Sequence, residues 1–197
     1  TGVARVAEIA GTSENVLAVD CAAASGLHVV PDTCHVDVVD RRSSRPVEDG
    51  ARGTVVHVYT IAEGSMYVRY DAEDAAVIDR TACACGLPSP RIKLLGRWEN
   101  GFRLGGEELL PYDVQLELER SVPELCGAPF VISQEGLAAG RLRLLLAESG
   151  DDAAVLGEAA RARLGERFAA PVEVALVREL PLAFKGVAPV LSEKQVG

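Results

Sequence analysis

Long hydrophobic runs are missing from this chain of 197 residues. The longest, such as Leu142 to Ala147, are strand-sized, whereas a helix that crosses a bilayer needs roughly 20 consecutive apolar residues. No membrane span is expected. A basic segment followed by an apolar one is also missing at the start, so no secretion signal is read there. Cations are in short supply: 20 Lys and Arg face 29 Asp and Glu, for a net charge of −9. Phosphate backbones are gripped by surplus Lys and Arg, so a general nucleic-acid surface is excluded, while a pocket for one nucleotide is not. Internal repeats and low-complexity tracts are absent. So is an initiator Met, and Thr1-Gly2-Val3 reads as the start of a processed or truncated piece, or of a tag-cleaved one.

What is present is ordinary for a globular protein: 48% hydrophobic and 25% charged residues, enough for one large domain or two small ones. The Ala, Arg, Gly and Val bias suggests a bacterial source. Cysteine is sparse and odd in number, at five (Cys21, Cys34, Cys83, Cys85 and Cys126). Without an export signal this favours metal ligation or free thiols over a disulfide framework, and a cytoplasmic location.

From Val16 to about Leu95 the sequence is β-like, with short Val-, Ile- and Tyr-rich runs between turn residues. Strands are expected at Val16–Val19, His28–Val30, His35–Val39, Gly53–Tyr59, Met66–Tyr70, Ala75–Ile78 and Arg91–Leu95, paired as antiparallel hairpins. After Arg97 the pattern changes. Gly105-Gly106 marks a hairpin, Pro111 opens a helix to about Arg120, and Phe130–Ser133 and Arg141–Ala147 read as strands. Asp151-Asp152 precede a helix to about Phe168 whose inner face carries Val155, Leu156, Ala159, Ala160, Arg163 and Leu164. A strand at Val172–Val177 closes the series. The expected fold class is α+β: a β-rich subdomain with a structural zinc site over residues 1–96, then a small α+β domain over 97–197.

Cys83-x-Cys85-Gly86 places two thiols on one tight loop, half of a structural zinc site. Cys21 and His28, either side of the small-residue turn Ala22 to Gly26, could supply the other half. Such a closed set would staple a segment near the N-terminus to the loop before Arg91. The alternative is that these cysteines are small buried hydrophobes. Cys34 and His35 compete as a pair, but adjacent strand residues point to opposite faces. Cys34 and Cys126 are read as core residues, and His57 as a strand-surface or core histidine.

Taken in order, the motifs resemble the C-terminal part of the phenylacetate–CoA ligase family of adenylate-forming, AMP-binding enzymes. Gly11-Thr12-Ser13-Glu14 resembles G-x-T-E, though Ala10 stands where the family has Tyr. Cys21 with Gly26-Leu27-His28-Val29, and Cys83-Ala84-Cys85-Gly86, resemble the two segments of the family's zinc site. Arg69-Tyr70 with Asp74 resembles R-Y-x-x-G-D, with Glu73 in place of the glycine. Gly96-Arg97-Trp98-Glu99-Asn100 resembles the hinge motif G-R-x-D-D. Near the end, Phe184-Lys185-Gly186 departs from P-R-x-x-G-K by exchanging Lys and Gly.

The resemblance implies an ATP-dependent carboxylic acid ligase that forms an acyl-adenylate and passes the acyl group to CoA, a carrier thiol or an amine. It implies Thr12 and Ser13 at the phosphates, Glu14 at magnesium, Asp74 and Arg97 at the ribose of ATP or AMP, Glu99 at the hinge and Lys185 at the adenylation charge. Zinc would be held by Cys21, His28, Cys83 and Cys85. Homodimerisation stays open. The family's Ser/Thr/Gly-rich phosphate loop is missing from this sequence, so the chain alone is expected to be inactive. The rival reading is a degenerate, zinc-stabilised ligase-like binding module.

Overall fold

The computed structural model describes residues 6–12, 15–61, 67–148, 152–180 and 190–191. The chain divides into two compact units, residues 1–97 and 98–197.

The first unit is built on β1 (Ile9–Gly11), β2 (Val16–Asp20), β3 (Leu27–Val29), β4 (Cys34–Val39), β5 (Arg52–Tyr59), β6 (Tyr70–Asp79) and β7 (Arg91–Arg97). They form one seven-stranded sheet in the order β1-β2-β3-β7-β6-β5-β4, antiparallel at every pairing. β-Branched and small residues dominate these strands and suit a pleated, half-buried surface. Sheet twist rolls the two ends towards each other: Cys34 Sγ at the start of β4 lies 3.5 Å from the Leu17 carbonyl of β2. The rolled sheet encloses a core that includes Leu17, Leu27, Val36, Val38, Val55, Ile78 and Ile92.

Two strands are expected here, at Met66–Tyr70 and Ala75–Ile78; β6 starts only at Tyr70, with residues 67–69 before it, and runs on through Ala75–Ile78 to Asp79. Met66 itself lies outside the described residues. The polar stretch between them, which looks like a turn, is carried inside β6 by a register shift. Val56 pairs with Asp71 while Thr54 pairs with Ala75, so extra residues bulge out. Glu73 sits in that bulge with φ +58°. Asp71 steadies it by accepting hydrogen bonds from the Glu73 amide at 2.7 Å and the Thr54 hydroxyl at 2.8 Å.

The second unit opens on the hairpin β8 (Phe102–Leu104) and β9 (Glu107–Leu109). Gly105 and Gly106 both have positive φ, +58° and +90°, the geometry a two-residue hairpin turn requires. Helix α1 (Pro111–Ser121) follows. Its Asp113 side chain reaches back to accept from the Leu110 amide at 2.8 Å, satisfying one terminal donor. Then come β10 (Phe130–Ser133), α2 (Gln134–Ala138), β11 (Leu142–Ala147), α3 (Ala153–Phe168), β12 (Val172–Val177) and β13 (Val190–Leu191). The four-stranded sheet runs β12-β11-β10-β13, and α1 and α3 share its core through Val114, Leu118, Ala160, Leu164 and Phe168.

Two expectations for this unit need correction. The buried face of α3 is Ala153, Gly157, Ala160, Leu164 and Phe168, whereas Val155 and Arg163 are exposed. The stripe combines the small residues Ala153, Gly157 and Ala160 with the larger Leu164 and Phe168, so Ala160 and Leu164 stand as expected. Cys126 is exposed, not a core residue. It follows the short turn Pro123–Leu125, where Leu125 takes the buried position. Cys34 is buried, as is His57. No described helix is long and apolar enough to cross a membrane.

Candidate functional site

Cys21 follows β2, and His28 is the middle residue of β3. The β2–β3 antiparallel register, with Asp20 opposite Leu27, folds the intervening turn back on itself and brings the two together. Pairing of β3 with β7, His28 opposite Arg91, then draws in the loop that enters β7. That loop carries Cys83 and Cys85. The result is one Cys/His cluster whose four ligand atoms all lie within 4.8 Å of one another.

Cys21 and Cys83 sulfurs are 3.9 Å apart, and Cys85 Sγ is 3.3 Å from His28 Nε2. The His28 ring is oriented from behind. Its Nδ1 lies 2.9 Å from the Ser89 carbonyl oxygen, which can only accept. Nδ1 therefore carries the proton, and Nε2 turns its lone pair to the thiols. The Ser25 hydroxyl first, then the Cys85 amide, favour the Cys83 thiolate, and its pKa falls to about 5. Cys85 moves the other way: the Leu87 amide favours its thiolate, but burial and the Cys83 and Cys21 thiols outweigh that. A cluster of thiols and one lone-pair imidazole in this arrangement can hold a metal ion.

The remaining candidates fall into three groups. Asp74 and Arg97 are register partners on β6 and β7, with Arg97 Nε 3.6 Å from Asp74 Oδ1. Arg97 Nη2 also lies 3.7 Å from the Glu73 carboxylate. Thr12 directly follows β1. Its amide donates to the Asn15 carbonyl at 3.0 Å, and its hydroxyl is hydrogen-bonded to the Tyr59 hydroxyl. Gly11 is required there, since a Cβ would come within 2.5 Å of the Asn15 carbonyl oxygen. Ser13, Glu14 and Lys185 lie outside the described residues. Glu99 belongs to the short helical turn Trp98–Asn100 and is exposed.

No family model matches the chain, and no curated protein matches it. Solved structures do. 2-Hydroxyisobutyryl-CoA ligase, in the postadenylation state in complex with R3-HIB-AMP, aligns with a TM-score of 0.78 at 20% identity, over 95% of this chain and 43% of that one. This chain has the fold of adenylate-forming ligases. An ATP-bound RpMatB-BxBclM chimera aligns at TM-score 0.60 and 16% identity, over 93% of this chain and 39% of its own. The anthranilate CoA ligase AuaEII in complex with anthranoyl-AMP aligns at 0.56 and 14%, over 92% and 37%. The likeness is one of fold, and the chain spans less than half the length of each ligase.

Sequence reasoning missed several residues of this ligase-fold site. Ser89, which orients His28, lies in Pro88-Ser89-Pro90 and reads only as a loop. Ser25 reads as part of a turn, Arg91 as the first residue of a strand, and Tyr59 as the last of another. Partners that are distant in sequence meet only through β3–β7 pairing and the rolling of the sheet, so no local pattern announces them.

Proposed function

We propose that this chain works as part of an ATP-dependent carboxylic acid ligase, which joins an acid to AMP and then transfers the acyl group to CoA or another thiol. The observation that carries the reading is the Asp74–Arg97 pair, set side by side at the β6–β7 register in this fold. A carboxylate can accept from both hydroxyls of a ribose, and a guanidinium beside it offers donors to ribose or phosphate oxygens. Thr12, Ser13 and Glu14 would meet the phosphates and magnesium, and Lys185 the charge that develops during adenylation. The test is carboxylate-dependent ATP–pyrophosphate exchange by the full-length protein, with a panel of carboxylic acids. Exchange by that protein, and none by the 197-residue chain alone, is expected. A full-length protein that binds no ATP sinks the reading.

Zinc is the ion proposed for the Cys/His cluster. A tetrahedral zinc with bonds of about 2.3 Å to sulfur and about 2.0 Å to nitrogen separates its ligands by roughly 3.8 Å for S···S and 3.5 Å for S···N. Two of the ligand separations, 3.9 Å and 3.3 Å, lie near those values, and all lie within 4.8 Å. Four protein ligands leave no open position, so zinc would tie the β2–β3 turn to the loop before β7 and take no part in acyl chemistry.

A second reading, a degenerate binding module, is favoured by Glu73. Its carboxylate stands beside Arg97 and adds negative charge where the nucleotide's ribose and phosphates would lie. Pyrophosphate exchange separates the two readings, because a binding module would give none with any acid.

A further inference from the structure

We propose that Arg91 and Ser25 form a positioning unit that holds the two halves of the Cys/His cluster together and tunes the Cys83 sulfur. The inference rests on the metal reading above and goes beyond its four ligands.

Arg91 is a cation with only 8% of its surface exposed. A buried guanidinium is costly unless its donors are met, and here two of its nitrogens reach out in different directions. Nη2 donates to Asp79 Oδ2 at 2.6 Å, to the Thr81 hydroxyl at 3.0 Å and to the Thr81 carbonyl at 3.2 Å. Nη1 donates to the Ser25 hydroxyl at 3.0 Å. Asp79 and Thr81 stand on the chain that leads to Cys83 and Cys85, while Ser25 stands in the turn between Cys21 and His28. One planar group thus bridges both ligand-bearing segments, and does so through bonds that need no metal.

The Ser25 oxygen accepts from Arg91 and keeps its own hydrogen for a second bond, which goes to Cys83 once that sulfur is a metal-bound thiolate. Cys83 Sγ is 3.2 Å away, and a thiolate can only accept. Three thiolates and a neutral imidazole around a divalent ion leave an excess of one negative charge on the sulfurs. A hydroxyl donor polarised by a guanidinium spreads part of that charge off Cys83. Such outer partners fix ligand orientation and commonly change metal affinity by about 10- to 100-fold.

The experiment uses the whole chain loaded with Co²⁺, whose absorption reports thiolate ligation, together with transfer of bound Zn²⁺ to a colorimetric chelator. Ser25 is exposed, so Ser25→Ala leaves the core intact, and Ser25→Thr keeps the hydroxyl. Ser25→Ala is expected to retain tetrahedral cobalt, to shift the sulfur-to-cobalt charge-transfer band to lower energy, and to release zinc about tenfold faster. Ser25→Thr should return both readouts towards the parent. Arg91→Lys, which keeps the charge but loses the fork, should speed release with a smaller band shift. Band and release rate unchanged in Ser25→Ala, with the parent loading normally, overturn this inference and leave the metal reading standing. A parent chain that takes up neither ion overturns both.

Discussion

Asp74 and Arg97 face each other across β6 and β7, Oδ1 to Nε at 3.6 Å, with about 31% and 45% of their side chains open to solvent. A pair so exposed contributes roughly 0–1 kcal/mol to stability. Its significance lies in presentation. A strand ladder fixes both Cα positions, so an acceptor and a planar donor are offered together at one point of a rigid sheet. In the full-length protein, Asp74→Asn is expected to raise the KM for ATP by about 10- to 100-fold, the worth of one or two hydrogen bonds to a charged group. The melting temperature should stay within a degree or two. Steady-state kinetics with varied ATP decide it, and an unchanged KM removes Asp74 from the nucleotide site.

Glu73 holds a left-handed φ of +58°, which costs a side-chain-bearing residue about 1–2 kcal/mol relative to glycine. Its ion pair with Arg97 is long, at 3.7 Å, and exposed, so little is lost with it. Glu73→Gly should therefore stabilise the first unit by about 1 kcal/mol, read as a higher urea midpoint at constant slope. A fall in the midpoint would mean that the carboxylate matters more than the backbone.

Removing the metal should be felt as a loss of folding free energy, because the four ligands come together only in the folded sheet. Cys83→Ser, or dialysis against a strong chelator, is expected to lower the melting temperature by about 5–10 °C, which for a chain of this size is roughly 2–3 kcal/mol. Elemental analysis of protein purified without chelator should give one zinc per chain. No zinc, or no thermal change on chelation, speaks against the site.

Acid should act partly through Asp49. The Arg80 amide and then the Arg80 guanidinium, 2.6 Å from its carboxylate, hold the Asp49 pKa below the usual value. A carboxylate lowered in the folded state stabilises at pH above its unfolded pKa, about 3.9. That contribution is lost as pH falls through the lower folded value. Asp49→Asn should thus differ in stability from the parent at pH 6 and converge with it below about pH 4. Urea titrations across that range check the convergence, and a constant difference would exclude the linkage.

The proposed boundary at Arg97 is open to trypsin. Arg97 is exposed at the end of β7, and Trp98 beyond it is half-buried. Phe102 and Leu104 belong to the second core, with 7% and 4% exposure, so cleavage is expected at the Arg97–Trp98 bond and not after Arg103. Two folded fragments should accumulate. Persistence of the intact chain at trypsin levels that digest a flexible linker would argue for a pinned boundary.

Most of the strands and both long helices were legible because each is written in a local code. β10 and β12 carry the residues their patterns predict, and α1 starts at its proline. The Cys/His set was legible both as four residues and as a link between the turn after β2 and the loop before β7, while the β3–β7 pairing that brings Cys21 and Cys83 together was not. The β6 bulge was not legible at all. Asp71 to Asp74 have turn chemistry, yet neighbouring strands on both sides supply enough pairing to carry them through. On the face of α3 the pattern found Ala160 and Leu164 but missed Ala153 and Gly157, small residues that a hydrophobicity pattern undervalues.

The strand order also imposes a sequence of events on folding. β4, β5, β6 and β7 are neighbours both in the chain and in the sheet, so they can zip as successive hairpins across connections much shorter than the one from β3 to β7. β3 has to find β7 across the whole of that meander, Leu27 meeting Ile92, and long closures come late because their entropy must be met before any contact forms. Until then β7 is a bare edge, able to pair with a strand of another molecule. The thiols gather in the same step that covers it. If the cluster holds the proposed ion, scarcity of that ion would let the chain accumulate in a state with that edge open, and shortage would register as aggregation.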